Sequence, residues 1–416
     1  MKRVIISVSA ILALGLGSVQ SQGLMGDNKN NVKPPRRFYV KANAQYGSML
    51  NKPNMDILTK QEGDFIEDFV IQNYNIGFDI RAGRQTDDFK QNKFDVLFRF
   101  PQFGVGYYVG NLNHIILGNE EQTGFGKPAA VYAFFASPIV RTEGFRVNYD
   151  ISLGLSYNFS PYDPFYRPYN ILIGAKRNCY VNLRLTSEFD FGKNSTVGVG
   201  VDYLHFSNGS ARKPNNGIDL LSVNLSYRYN LFQHSEKSYN RFPVEPYKPN
   251  WEWQVWWTNG ARTLDTDFDY TATTKGGLWH CWSVSSAVLK QTSHRRKVGA
   301  GIDYFYFDWG RYVLEYRANE QGQQITTQPR DNMALGAFLT HEVGYKKAWL
   351  FCHLGFYLNN RTGDYRTGEN AKNPRIYERV GVKYYVTPHL SVGVAIKAHF
   401  TNADYTEWTI GYSLPF

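Results

Sequence analysis

The stretch "VGVGVDYLHFSNGSARKPNNGIDLLSVNLSYRY", residues 197–229, decides how the rest of the chain is read. In its first arm Val197, Val199, Val201 and Tyr203 share one face, with Gly198, Gly200, Asp202 and Leu204 on the other. In its second arm Leu221, Val223, Leu225, Tyr227 and Tyr229 oppose Ser222, Asn224, Ser226 and Arg228. A period of two is the side-chain period of a β-strand, and the Gly, Ser, Pro and Asn between the arms are turn residues. The stretch therefore reads as a hairpin with one greasy face. Yet the same periodicity puts His205 and Ser207 on that face at the end of the first arm, and Asp219 on it at the start of the second.

The pattern recurs outward from this hairpin. "FRVNYDISLGLSYNF", residues 145–159, alternates without a fault from Phe145 to Phe159. Tilted strands cross a bilayer in about 9 to 11 residues, so this one is long enough. Residues 179–191 set Val181, Leu183, Leu185 and Phe189 against Asn182, Arg184, Thr186, Glu188 and Asp190. So charged a face must line a lumen, which leaves the apolar face to lipid. Strands are expected near 37–48, 69–83, 94–111 (kinked at Pro101), 128–140, 145–158, 178–191, 196–208 and 218–231. A second set is expected near 251–262, 279–290, 297–308, 333–344, 347–358, 376–386, 389–400 and 404–416. The fold class is all-β, an antiparallel outer-membrane β-barrel of about 16 strands in two roughly eight-stranded halves. Local patterns leave open whether these close as two barrels or one. "VGAGIDYFYF" at 298–307 echoes "VGVGVDYLHF", and "KAHFTN" at 397–402 echoes "YLHFSN". The halves end on Phe232 and Phe416, and a terminal aromatic suits recognition by barrel-assembly machinery.

Residues 1–21, with Lys2 and Arg3 before an apolar run, read as a cleaved signal for export. The expected organisation continues with an N-terminal linker at 22–36, a first half at 37–232, a polar linker at 233–250 and a second, non-catalytic half at 251–416. Beyond the signal no run of about 18 apolar residues remains to make a helical span. Losing Lys2 and Arg3 lowers the formal charge from +10 to +8, which suits an anionic partner such as lipopolysaccharide. The basic residues are scattered over loops, which speaks against nucleic acid. Cys179, Cys281 and Cys352 are far apart and accompany no His cluster, so no metal and no cofactor are implied.

Folding the hairpin about residues 212–213 brings Asp219 across from His205 or Ser207. A hydroxyl beside a histidine, with a carboxylate to hold the imidazole tautomer, is the arrangement that activates serine as a nucleophile. Ser207 is the candidate nucleophile, His205 the base, Asp219 the orienting acid, and Asn208 or Gly209 the oxyanion donors. The Asn208 side chain nominally points to the lumen unless the strand bulges near Gly209. Polar side chains among head groups are the bland explanation of the same patch.

"HFSNGS" followed by "KPNNGID" resembles the signature of the outer-membrane lipid A 3-O-deacylases, the PagL-like acyloxyacyl hydrolases. The likeness covers residues 37–232 in strand plan and is specific between 203 and 229. It implies a serine esterase that removes an ester-linked acyl chain from lipid A, with His205, Ser207, Asn208 and Asp219 in the roles above. Some members carry Glu where this chain has the shorter Asp219. Arg167, Lys176, Arg177, Arg212 and Lys213 are candidate clamps for lipid A phosphates. The rival functions are a porin or structural barrel, and an acyltransferase barrel using the same nucleophile.

Overall fold

A computed structural model describes residues 37–50, 70–86, 92–117, 124–231, 243–264, 277–361, 375–399 and 402–416. The expected signal, most of the linkers and Phe232 lie outside these residues. The chain forms two closed eight-stranded antiparallel barrels, which answers whether the strands close together or apart.

The first barrel is built from β1 (Phe38–Met49), β3 (Asn75–Gln85), β4 (Gln102–Asn111), β6 (Gly126–Thr142), β7 (Phe145–Phe159), β8 (Asn178–Phe191), β9 (Ser195–Ser207) and β10 (Ile218–Asn230). Closure comes from β1, which pairs with β3 on one side and β10 on the other. The short strands β2 (Val70–Asn73) and β5 (Ile115–Leu117) pair with each other in the long connections. One correction concerns the third expected strand. Residues 94–97 are not extended but belong to a single helical turn, α1 (Lys93–Leu97), capped by Asn92, whose Oδ1 accepts from Phe94 N–H at 3.0 Å. Arg99 and Phe100 follow at positive φ, and pairing begins at Gln102, after Pro101. This is the placement expected of a residue that cannot donate to a ladder.

The alternation sorts as the membrane demands. Leu155, Val199, Val223 and Leu225 are exposed on the outside, while Asp79, Arg81, Arg184 and Asp202 are buried within. Buried charges need partners. Asp79 receives Arg184 at 2.8 Å, Arg81 at 3.1 Å and the Tyr132 hydroxyl at 2.8 Å, while Arg184 also pairs with Asp202 and Arg81 with Asp150. Toward the end that carries the β9–β10 connection the filling turns aromatic, with Tyr132 stacked on Tyr180 at 4.9 Å and Tyr180 edge-on to Phe206 at 5.8 Å. The Tyr132 ring lies over Gly106, where any Cβ would come within 2.3 Å of it.

The second barrel runs through β11 (Asn250–Arg262), β12 (Trp279–Ser293), β13 (Arg296–Phe307), β14 (Met333–Tyr345), β15 (Ala348–Asn360), β16 (Ile376–Tyr385), β17 (Leu390–His399) and β18 (Asn402–Pro415), with β11 closing on β18. A helix, α2 (Gly310–Glu320), interrupts the passage from β13 to β14. Trp253, Leu354, Trp408 and Ile410 face outward, and Asp303, Arg379 and Glu407 are fully buried. Arg379 pairs with Asp303 at 3.1 Å and with Glu407 at 2.5 Å, and Lys397 pairs with Asp404 at 2.6 Å. No helix among the described residues is long and apolar enough to cross a membrane, which bears on helices alone.

Candidate active site

The site grows from the register of β9 on β10. Asp219 stands directly opposite His205, Leu221 opposite Tyr203 and Val223 opposite Val201. The exposed face of Val197, Val199 and Val201 thus continues into the partly exposed His205 near the end of β9. Direct cross-strand partners have Cβ atoms about 5 Å apart, within reach of even a short carboxylate. The His205 Nδ1 lies 2.6 Å from Asp219 Oδ1. A carboxylate accepts only, so Nδ1 carries the proton of this contact and Nε2 is the ring nitrogen left to serve a substrate. Both side chains stay partly open, at 29% and 24% relative exposure.

Ser207 follows two residues beyond His205 and is the last residue of β9, paired on its other side with Cys179. It is more enclosed than His205, at 4% exposure. Asn215, whose role the sequence reading missed, lies over it. The Asn215 Nδ2 donates to Ser207 Oγ at 3.0 Å, and its Oδ1 accepts the Asn208 N–H at 3.1 Å. The Asn208 backbone donor is therefore already engaged. Asn208 is itself buried, and no bulge interrupts the β9–β10 ladder. The chain instead turns after the strand end, with Gly209 at φ 60° and Ser210 at φ 62°. The signal for Asn215 was the polar turn "KPNNG" beside a polar patch on an apolar face; which atoms it would reach was not readable.

Gly217 has a geometric reason to be glycine. Its φ is +75°, and a Cβ there would meet His205 Cε1 at 2.9 Å and Nε2 at 3.6 Å. It therefore keeps the Cε1–Nε2 edge of the ring clear. Its N–H donates to Leu172 O at 2.9 Å, tying the turn to residues 171–173, which are buried in the aromatic core.

The loop cations separate. Arg167 donates its Nε–H to Pro161 O at 2.9 Å, and Asp163 Oδ1 accepts the N–H groups of Tyr166 and Phe165, both at 3.0 Å. Those N–H groups, Tyr166's above all, hold the Asp163 carboxyl below the usual carboxylate range. Arg167 thus serves its own loop. Lys176, Arg177 and Arg212 are exposed and Lys213 partly so.

The look-alikes in the second barrel lack this patch. His399 is buried, its Nε2 3.3 Å from Tyr357 Oη and 3.4 Å from Lys397 Nζ, while Thr401 lies outside the described residues. Tyr306 and Asp308 stand where His205 and Ser207 would be in the other echo.

A family model described as lipid A 3-O-deacylase (PagL) matches residues 88–228, and one described as acyloxyacyl hydrolase, C-terminal domain, matches residues 251–415. His205, Ser207, Asn215 and Asp219 all lie in the first match. Among solved structures, that of the outer membrane enzyme PagL is 14% identical with a TM-score of 0.25, covering 45% of this chain and 97% of that one. The Pseudomonas putida toluene transporter TodX is 10% identical with a TM-score of 0.16, covering 92% and 89%. An outer-membrane channel from Pseudomonas putida F1 is 9% identical with a TM-score of 0.18, covering 94% and 100%. No curated protein matches the chain.

Proposed function

We propose, of a chain that belongs to the lipid A 3-O-deacylase (PagL) family of outer-membrane hydrolases, that it removes the acyl chain ester-linked at the 3-position of lipid A by a serine mechanism. The observation that carries this reading is the His205 Nδ1–Asp219 Oδ1 contact of 2.6 Å on the outward face, with Ser207 next along the same strand. A substrate whose ester sits at the outer edge of the bilayer is met by a nucleophile on the outside of a barrel and by none inside it.

In the first half-reaction Ser207 Oγ bonds to the ester carbon as its proton passes to His205 Nε2. The carbonyl electron pair moves onto oxygen, where the Asn208 side-chain amide and the Gly209 N–H are the candidate donors. Collapse breaks the bond to the sugar oxygen, which takes the proton back from His205. Water then repeats the sequence on the acyl-serine, releasing a fatty acid. Asp219 keeps the Nδ1–H tautomer and stabilises the imidazolium. Asn215 holds the Ser207 hydroxyl before substrate arrives and releases it to the attack. Lys176, Arg177, Arg212 and Lys213 meet the lipid A phosphates. Residues 1–21 act as the export signal, and Phe416, 72% exposed at the chain end, is the feature offered to the barrel-assembly machinery.

The porin reading meets a steric objection. Eight strands enclose room for side chains only, and both interiors are filled with paired charges and aromatic rings. Mass spectrometry of lipid A from outer membranes with and without the protein tests the proposal. Loss of one ester-linked hydroxyacyl chain is expected. An unchanged spectrum would refute a hydrolase, and a gained chain would point to an acyltransferase.

A further inference from the structure

We infer that Tyr203 is a positioning residue for the reaction, its hydroxyl holding the Asp219 carboxylate in the plane and place that His205 requires. The inference rests on the reading of His205 and Asp219 as base and acid. Tyr203 lies two residues before His205 on the same face of β9 and diagonally across from Asp219, because its direct partner is Leu221. Its hydroxyl donates to Asp219 Oδ1 at 2.7 Å. This is the same oxygen that receives His205 Nδ1 at 2.6 Å, so two donors from one strand converge on one atom of the next.

That convergence meets a specific need. The terminal torsion of an aspartate is broad, so a single hydrogen bond leaves the carboxylate free to swivel. Asp219 also sits at the barrel rim with about a quarter of its side chain open, where water competes for its oxygens. A second donor, carried on a rigid ring whose strand is fixed by the ladder, removes that freedom. It also draws off part of the carboxylate's charge. The second barrel supplies a contrast. Tyr304 follows its buried aspartate as Tyr203 follows Asp202, but its ring packs against Trp282 at 5.8 Å and its cross-strand surroundings hold no histidine pair. A tyrosine at this position is thus compatible with the barrel alone, and the contact with Asp219 is what the first barrel adds.

The test uses the purified full-length protein with lipid A in detergent micelles. Tyr203→Phe is expected to lower kcat about 3- to 10-fold with KM nearly unchanged, the usual net worth of one partly solvated hydrogen bond. The acidic limb of the kcat/KM profile should move to higher pH, because a carboxylate stripped of one donor holds the imidazolium more strongly. In an Asp219→Ala background the same change should cost nothing further, since the group it acts through is gone. Wild-type kcat and pH profile in Tyr203→Phe would overturn the inference, as would a loss that adds in full to that of Asp219→Ala. Loss of the heat-modifiable folded band in Tyr203→Phe would make the residue structural and overturn it too. Ser207→Ala, measured alongside, separates the levels: turnover retained there removes the underlying reading, whereas an inactive Ser207→Ala beside an unaffected Tyr203→Phe removes only the role of Tyr203.

Discussion

Strand β9 of the first barrel and strand β13 of the second carry nearly the same sequence and do different things. Inside, they agree. Asp202 and Asp303 are buried and paired with Arg184 and Arg379, and Leu204 with Phe206 is answered by Phe305 with Phe307 in the cores. Outside, they part. His205 and Ser207 are replaced by Tyr306 and Asp308, and Tyr306 stacks on Trp282 at 5.4 Å as a membrane-interface aromatic would. The opposite strand diverges as well, since Asp219 faces His205 while Met333 faces Tyr306. A small barrel can thus keep its interior for closure and stability and vary its rim, where the chemistry proposed here is placed. That chemistry needs base, nucleophile, acid and a short turn together, and any one of them alone is only strand decoration.

The comparison predicts a graded series of effects. His205→Ala should reduce lipid A deacylation by about a thousand-fold or more, as loss of a triad member does elsewhere, while the heat-modifiable band on gels is unchanged because the side chain supports no core. Full activity in that variant would end the distinction between the two strands. Asp219→Ala should cost less, on the order of tens- to hundreds-fold, read from initial rates of fatty acid release. If its loss appears only together with unfolding, Asp219 belongs to the scaffold and not to the site.

Interior changes should act on stability instead. Arg184→Met strands Asp202 and takes from Asp79 one of its two cations in the first barrel, and Arg379→Met strands Asp303 and Glu407 in the second. Each should destabilise its barrel by about 3–5 kcal/mol, seen as a lower temperature for conversion of the folded band. The second variant should keep its activity per folded molecule, and a selective loss of turnover there would give the second barrel a part in catalysis. The smallest effect is expected from rebuilding β13. Tyr306→His with Asp308→Ser, in a Ser207→Ala background, should restore no fatty acid release, because Met333 supplies no acid. Measurable release would show that the acid and the turn matter less than argued.

Much of this was legible before any coordinates, for a physical reason. Lipid and lumen impose opposite demands on alternate residues, so β7, expected at 145–158, runs Phe145–Phe159, and the hairpin's symmetry put Asp219 across from His205 or Ser207, of which the register selects His205. Residues 93–100 misled because "KFDVLFRF" carries strand-like apolar spacing, while the deciding feature is one capping bond from Asn92 and two residues at positive φ. Closure was hidden because it is set by the pairings β1 with β10 and β11 with β18, which join residues far apart in the chain. Asn215 was hidden because its two bonds exist only once the turn has folded back over Ser207.

The most direct test of a single site on the first barrel is the lipid A mass spectrum of cells whose outer membranes hold wild-type protein, Ser207→Ala or His399→Ala at equal folded abundance. Wild type and His399→Ala should each show lipid A lacking one hydroxyacyl chain, and Ser207→Ala the full complement. A chain still missing with Ser207→Ala, or restored with His399→Ala, would contradict the account.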